Sequence, residues 1–156
     1  MTHLVYAEAI ESLSQRLAGR GHGDAAFMAE STIWLEACGY AGLHDLHQAL
    51  ADPVKEFVLA RTALGIDLRN ISCAIIGQQV LADAAKNGRV YLRNVRHGLF
   101  LLAGSVKLNI GIGCPIDTTF AVGGQRGKNP YTDKLELARR DGVHLDDELW
   151  QALMET

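Results

Sequence analysis

From about residue 57 the chain alternates short apolar segments with amphipathic ones, and this alternation restricts the possible folds strongly. FVLA, residues 57–60, and ISCAIIG, residues 71–77, are apolar with β-branched residues, as strands buried on both faces are. QQVLADAAKNG, residues 78–88, follows with helical periodicity and ends at a glycine. We therefore expect strands connected by helices, which is the pattern of an α/β fold.

The same alternation continues toward the C-terminus. RVYLRNV, residues 89–95, predicts a strand, GLFLLAGSVKL, residues 98–108, a helix, and NIGIGCPI, residues 109–116, a glycine-containing strand. After a glycine-rich segment we predict two more helices, within residues 130–142 and 144–156. The expected arrangement is a sheet with helices packed on it.

The first 52 residues show no strand pattern and predict three helices separated by glycines. Apolar residues at helical spacing indicate the first helix over about residues 7–17. The second runs from Asp24, a capping residue, to about Cys38. The third, LHDLHQALAD, ends before Pro53. We expect these helices to form a cap on the sheet.

A chain of 156 residues, with 48% apolar and 21% charged residues, has the make-up of one globular domain. We expect the helical cap over about residues 1–52 and an α/β part over about residues 53–156 of that single domain. The net charge of −3 gives no reason to expect nucleic acid. No signal pattern or membrane-length apolar run is present, so we expect a cytoplasmic protein without a membrane partner.

The cysteines and histidines do not predict a metal site. Cys38, Cys73 and Cys114 are dispersed, which is typical of reduced and mostly buried thiols. His44 and His47 are about one helical turn apart, but no histidine pairs with cysteines or acids at zinc spacing. We expect no bound metal.

LRNVRHG, residues 92–98, lies where a predicted strand passes into a helix. Ligands of open α/β sheets bind beyond the carboxyl ends of the strands. Histidine in general titrates near neutral pH, and His97 is therefore a candidate to donate a proton to a carbonyl or an imine. Arg93 and Arg96 can bind a carboxylate in bidentate fashion. The alternative is that His97 caps a helix and the two arginines are solvated.

AVGGQRGKNP, residues 121–130, is the glycine-rich segment. Gly123, Gly124 and Gly127 allow backbone amides to approach a ligand, and Lys128 adds a positive charge. The dipole of the helix that follows also favours anions. The segment matches neither the Walker pattern nor GxGxxG, and a connecting turn is the alternative interpretation.

GQQV, VYLRNVRHG and GGQRGKNP, in that order, resemble motifs of the type-2 malate/L-lactate dehydrogenase superfamily. Ureidoglycolate and sulfolactate dehydrogenases and the cyclic-imine reductases belong to the same group. The resemblance covers about residues 78–130, and members of that superfamily continue well beyond the matching point. It implies a shortened relative with the superfamily's non-Rossmann sheet.

The resemblance also implies roles for particular residues. Arg93, Asn94 and His97 fall on the middle motif, whose histidine is the proton donor in that superfamily. His97 is then the catalytic candidate, and Arg93, Arg96 and His44 are the substrate-binding candidates. The glycine–asparagine segment helps to form the nicotinamide cofactor pocket there. The residues that would hold NAD(P)H are Gly123, Gly124, Gly127, Lys128 and Asn129.

Three functions remain open from the sequence. The first is an NAD(P)H-dependent reductase of a small 2-oxo or cyclic imino acid, with His97 as proton donor. The second is a non-catalytic protein derived from the same fold that binds a small carboxylate ligand or serves as an enzyme subunit. The third is a structural homo-oligomer in which Trp34 and Trp150 form the contact face. We expect a homo-oligomer in any of these cases.

Overall fold

The computed structural model describes residues 1–53, 55–108, 112–113 and 131–155. Within these ranges the chain forms seven helices and five short strands in two sheets, which confirms the predicted α/β class. Two compact units are present. The first contains residues 1–52 and 129–156, and the second contains residues 53–128.

The first unit is mainly helical. Its elements in chain order are β1 (Thr2–Leu4), α1 (Tyr6–Gly19), α2 (Ala25–Ala37), α3 (Gly42–Ala51), α6 (Thr132–Asp141), β5 (Val143–Leu145) and α7 (Asp147–Glu155). Strands β1 and β5 pair antiparallel, with His3 opposite His144. The α1 helix packs against α2, and α2 packs against α3.

The three helices predicted for the first 52 residues are confirmed. Leu13 and Leu17 of α1 are fully buried, as the helical spacing of apolar residues requires. Asp24 occupies the N-cap position of α2, but in the described structure its side chain forms no capping hydrogen bond. Trp34 and Trp150 are only 7% and 9% exposed, so both indoles belong to the core of the first unit.

Strands β1 and β5 are not predicted by the sequence. Each has three residues, which is too short for alternation to be recognised. The helix predicted over residues 144–156 begins only at Asp147, because His144 and Leu145 belong to β5. The helix predicted within residues 130–142 is confirmed as α6.

The second unit holds a small parallel sheet. Its elements in chain order are β2 (Ile66–Asp67), α4 (Cys73–Asn87), β3 (Val90–Arg93), α5 (Phe100–Leu108) and β4 (Ile112–Gly113). The strand order is β2-β3-β4, and both pairings are parallel. Asp67 lies opposite Arg93 at the carboxyl ends of β2 and β3. Helices α4 and α5 pack against each other.

The strands predicted at residues 57–60 and 71–77 are wrong. Residues 57–60 form no regular element, and residues 73–77 form the start of α4. A helix buried on most sides is as apolar as a buried strand, and so short a segment does not distinguish the two. Ser72, whose Oγ accepts a hydrogen bond from the Ala74 amide at 3.1 Å, caps this helix.

The predicted strand at residues 89–95 and the predicted helix at residues 98–108 are confirmed as β3 and α5. Of the strand predicted at residues 109–116, residues 112–113 form β4, and the other residues lie outside the described ranges. In β3, Val90 and Leu92 are buried while Tyr91 is half exposed, as strand alternation requires.

Gly65 allows the segment before β2 to approach β3 closely. Its φ is +94°, and a Cβ atom at this position would collide with the carbonyl oxygen of Tyr91. Only glycine meets both conditions without a shift of the backbone.

The described cysteines agree with the expectation of buried thiols. Cys38 and Cys73 are buried, and Cys114 lies outside the described residues. Burial raises the pKa of the Cys38 thiol to about 11. None of the helices in the described ranges has the length and apolar character needed to cross a membrane.

Candidate functional site

The loops that follow β2 and β3 run side by side. Three backbone hydrogen bonds of 2.9 Å join them, from Leu68 N–H to Arg93 O, from Asn70 N–H to Asn94 O and from Cys73 N–H to Arg96 O. The loops therefore stay together from the carboxyl ends of the strands to the start of α4. This pairing places Ser72 next to His97.

The imidazole of His97 is held by the hydroxyl group of Ser72. The Nδ1 atom lies 2.7 Å from Oγ, which also caps α4. A serine hydroxyl can donate to Nδ1 of the neutral ring or accept from Nδ1–H of the protonated ring. When the hydroxyl donates, the proton of the neutral ring lies on Nε2. Ser72 therefore suits both protonation states of His97.

The two loops also hold unusual backbone conformations. Among the described residues, four non-glycine residues have positive φ values, between +51° and +59°: Arg69, Asn70, Asn94 and His97. Asparagine and histidine are enriched in this conformation, whereas arginine adopts it less readily. Strained backbone of this kind clusters at functional sites and costs about 1 kcal/mol or more per residue.

Asp67 connects the same two loops through its side chain. Its Oδ1 accepts hydrogen bonds from the Asn94 side chain at 2.8 Å and from the Arg69 amide at 2.9 Å. These bonds, the one from Asn94 first, hold the pKa of Asp67 below its usual value. Asp67 therefore acts as an ionised tether of the loops.

Arg93 ends β3 and lines two cavities of the second unit, of about 600 and 390 Å³. His97 is not among the residues that line either of these cavities. The Nε atom of Arg93 is buried and has no hydrogen-bond partner in the described part of the chain. A buried donor without a described partner is rare in folded proteins.

The other predicted substrate-binding residues differ in position. Arg96 is partly buried in the loop before His97, and its carbonyl oxygen accepts a hydrogen bond from the Cys73 amide. His44 belongs to the first unit, where its exposed ring lies 3.4 Å from the carboxylate of Asp45 on α3. The second unit thus brings Arg93, Arg96 and His97 into one loop region.

Neither Ser72 nor Asp67 is predicted as a site residue from the sequence. A serine directly before an apolar helical segment is an N-cap signal that could have been recognised. The contact between Ser72 and His97 joins residues 25 positions apart, and no local pattern indicates it.

The residues predicted to bind NAD(P)H lie outside the described ranges, so their roles stay predictions. They are Gly123, Gly124, Gly127, Lys128 and Asn129. Within the part of the chain that the structure describes, no three His, Cys, Asp or Glu side chains form a group that could hold a metal ion.

Comparisons of the chain with family models, curated proteins and solved structures found no match. The resemblance of residues 78–130 to the type-2 malate/L-lactate dehydrogenases therefore stays a prediction. The geometry of the second unit is the basis on which a function can be proposed.

Proposed function

We propose that this chain is a small-ligand α/β protein in which His97 donates a proton to a bound 2-oxo or imino carboxylate. The contact of 2.7 Å between His97 Nδ1 and Ser72 Oγ carries the proposal. It fixes one ring nitrogen of a histidine at the carboxyl end of a parallel strand, where ligands of α/β sheets bind. Histidine is the side chain that most often serves as a general acid or base, which suits proton transfer at this position.

Positive charge near His97 suits a carboxylate ligand. Arg96 precedes the histidine, and Arg93 ends the strand that leads into the same loop. In the proposed reaction an arginine holds the carboxylate, and His97 gives its proton to the carbonyl oxygen or imine nitrogen. The neutral ring that remains keeps its proton on Nδ1, which continues to donate a hydrogen bond to the Ser72 hydroxyl oxygen.

Reduction of such a ligand requires a hydride, which NAD(P)H supplies when bound. The glycines assigned to that cofactor lie outside the described residues. The proposal therefore assigns no step to them, and its test measures ligand binding separately from NAD(P)H oxidation.

Two finer features of the fold, the type of sheet and the role of residues 1–52, are also proposals. We propose that the parallel sheet is of a non-Rossmann type and that residues 1–52 act as a helical cap. Two features support this proposal: the turn between β2 and α4 carries no GxGxxG motif, and residues 1–52 contain the three helices α1, α2 and α3.

The test measures ligand binding and, separately, NAD(P)H oxidation with a panel of small 2-oxo acids and cyclic imines. His97→Asn keeps a residue type that tolerates positive φ but removes the titrating ring. We expect it to lower turnover by about a hundredfold or more, as loss of a general acid does. His47→Gln, at an exposed histidine on α3, is the control and should retain wild-type turnover.

Two results would decide against the reductase. If no panel member binds and none supports NAD(P)H oxidation, the proposal is wrong altogether. Binding of a carboxylate without turnover would favour the non-catalytic ligand-binding protein instead. That second function is favoured by the unpartnered Nε of Arg93, which indicates anion binding but no chemistry.

The third function, a structural homo-oligomer, loses the feature on which the sequence argument depended. Trp34 and Trp150 are buried within the first unit and do not form an exposed face. An oligomer formed by another surface stays a prediction.

A further inference from the structure

The larger of the two cavities lined by Arg93 lies between the segment before β2 and strand β3. Arg61 and Arg89 line it as well, together with Leu64 and Tyr91. Its volume of about 600 Å³ falls within the range of small-molecule sites. No carboxylate side chain is among the described residues that line this cavity.

One of the three arginines is already neutralised. Arg61 Nη2 lies 2.6 Å from Asp83 Oδ2 and also donates to the Gly88 carbonyl at 2.9 Å. These contacts hold the Arg61 side chain in place at the cavity.

The described residues form no ion pair with the other two arginines, although the charge of Arg93 helps to lower the pKa of Asp67. Arg89 is exposed, and the described residues provide no ion-pair partner for it. Arg93 has the buried Nε that lacks an acceptor. Two guanidinium groups at one cavity without a lining carboxylate form a site for an anion.

The same cavity has apolar surface. Leu64 is 70% exposed and Tyr91 50% exposed, although both are large apolar side chains. The close approach at Gly65 leaves no side chain between the backbone segments that carry them. A ligand with a flat or apolar part can therefore cover the Tyr91 ring while its anionic part reaches the arginines.

The neighbouring cavity limits the size of the anion. It shares Arg93 but adds the carboxylates of Glu56 and Asp67 together with Arg69. A nucleic-acid backbone extending from the first cavity would bring its phosphates close to these carboxylates. The protein as a whole also carries a net charge of −3. The charge pattern therefore favours a compact anion over nucleic acid.

We propose that the cavity formed by Arg61, Arg89 and Arg93 binds a small organic dianion whose apolar part lies on Tyr91 and Leu64. A phosphate ester and a dicarboxylate share the chemistry that guanidinium groups recognise. The site does not depend on proton transfer by His97. Arg93 supplies charge in both proposals. Variants of Arg89 and Tyr91 therefore distinguish this proposal from the proposed function.

The test is isothermal titration calorimetry of the full chain with phenyl phosphate, inorganic phosphate, succinate and benzyl alcohol. We expect phenyl phosphate to bind more tightly than inorganic phosphate, and benzyl alcohol not to bind. Arg89→Gln and Arg93→Gln should each weaken phenyl phosphate binding by about tenfold, as loss of a charge-assisted hydrogen bond does. Tyr91→Ala should weaken phenyl phosphate binding and leave inorganic phosphate binding unchanged.

Lys86→Gln is the matched control, because it removes one positive charge from an exposed position on α4 outside the cavity. Its effect should stay below about twofold if the site is local. Tighter binding of succinate than of phenyl phosphate would identify a dicarboxylate as the ligand and support the proposal. A circular dichroism spectrum of each variant checks that it is folded.

Three results would overturn the proposal. The first is no binding of any of these anions at millimolar concentration. The second is an equal loss for Lys86→Gln and Arg89→Gln, which would indicate general charge attraction. The third is tighter binding of a single-stranded oligonucleotide than of any small anion, which would assign the arginines to nucleic acid. Loss of NAD(P)H oxidation in His97→Asn is measured separately and bears on none of these outcomes.

Discussion

The Oγ atom of Ser72 lies 2.7 Å from the Nδ1 atom of His97 and 3.1 Å from the amide nitrogen of Ala74. One hydroxyl group therefore caps helix α4 and holds the imidazole. Its loss should affect both the stability of the fold and the position of the ring.

Ser72→Ala should lower the free energy of unfolding by about 1 kcal/mol, which is typical of a lost N-cap. Urea unfolding followed by circular dichroism measures this change. Ser12→Ala on the exposed face of α1 is the control and should change stability by less than about 0.5 kcal/mol. Equal stability of wild type and Ser72→Ala would show that the hydroxyl does not cap α4.

Gly65→Ala should destabilise the protein by about 2 kcal/mol or more, because it combines positive φ with a collision at the Tyr91 carbonyl. Gly39→Ala is the matched variant: Gly39 has a similar φ of +88°, but no atom lies within 4 Å of its added Cβ. It should show the smaller loss in urea unfolding. Equal losses would contradict the close approach of the two segments.

The ion pair of Arg61 and Asp83 should make stability depend on pH. Hydrogen bonding from Arg61 lowers the pKa of Asp83 in the folded state. The stabilisation is therefore present above the unfolded pKa of about 3.9 and is lost as the pH falls through the folded pKa. We expect Asp83→Asn to be less stable than wild type at pH 7, with the difference shrinking toward pH 3.

Asp141→Asn is the control for that ion pair. Arg140 and Asp141 also form an ion pair, but their side chains are 74% and 55% exposed, and such pairs contribute about 0–1 kcal/mol. Its unfolding free energy should therefore change little at any pH. A pH-independent loss in Asp83→Asn would show that the carboxylate charge is not what stabilises the second unit.

Cys38 should be unreactive in the folded protein. Burial raises its pKa to about 11, so the thiolate is scarce at pH 8. Peptide-resolved mass spectrometry after iodoacetamide treatment should show labelling at no more than about a tenth of the rate in urea. Labelling of Cys38 at equal rates in both conditions would contradict its burial in the first unit.

Elements with a clear period could be predicted from the sequence. The periodicity of α1 and the alternation of Val90 and Leu92 in β3 each follow from side-chain burial on one face. Residues 71–77 predict a strand because the apolar start of a helix is too short to show helical periodicity. The pairing of β1 with β5 was missed because it joins residues that are more than 130 positions apart.

Part of the candidate site could also be predicted. His97 and Arg93 were identified because polar residues directly after a strand stand out in an apolar chain. The partner of His97 depends on how two loops pair in space, so the sequence did not indicate Ser72. The cavity of Arg61, Arg89 and Arg93 was missed for the same reason, because Arg61 and Arg93 are 32 positions apart.

The most direct test of the central claim is a long-range ¹H–¹⁵N spectrum of the six histidine rings, recorded with and without a small 2-oxo acid. His97→Asn assigns the resonances of that ring. The account predicts that the ligand shifts the His97 nitrogen resonances and leaves those of the exposed His47 ring unchanged. Unchanged His97 resonances at millimolar concentrations of every 2-oxo and imino acid in the panel would contradict it.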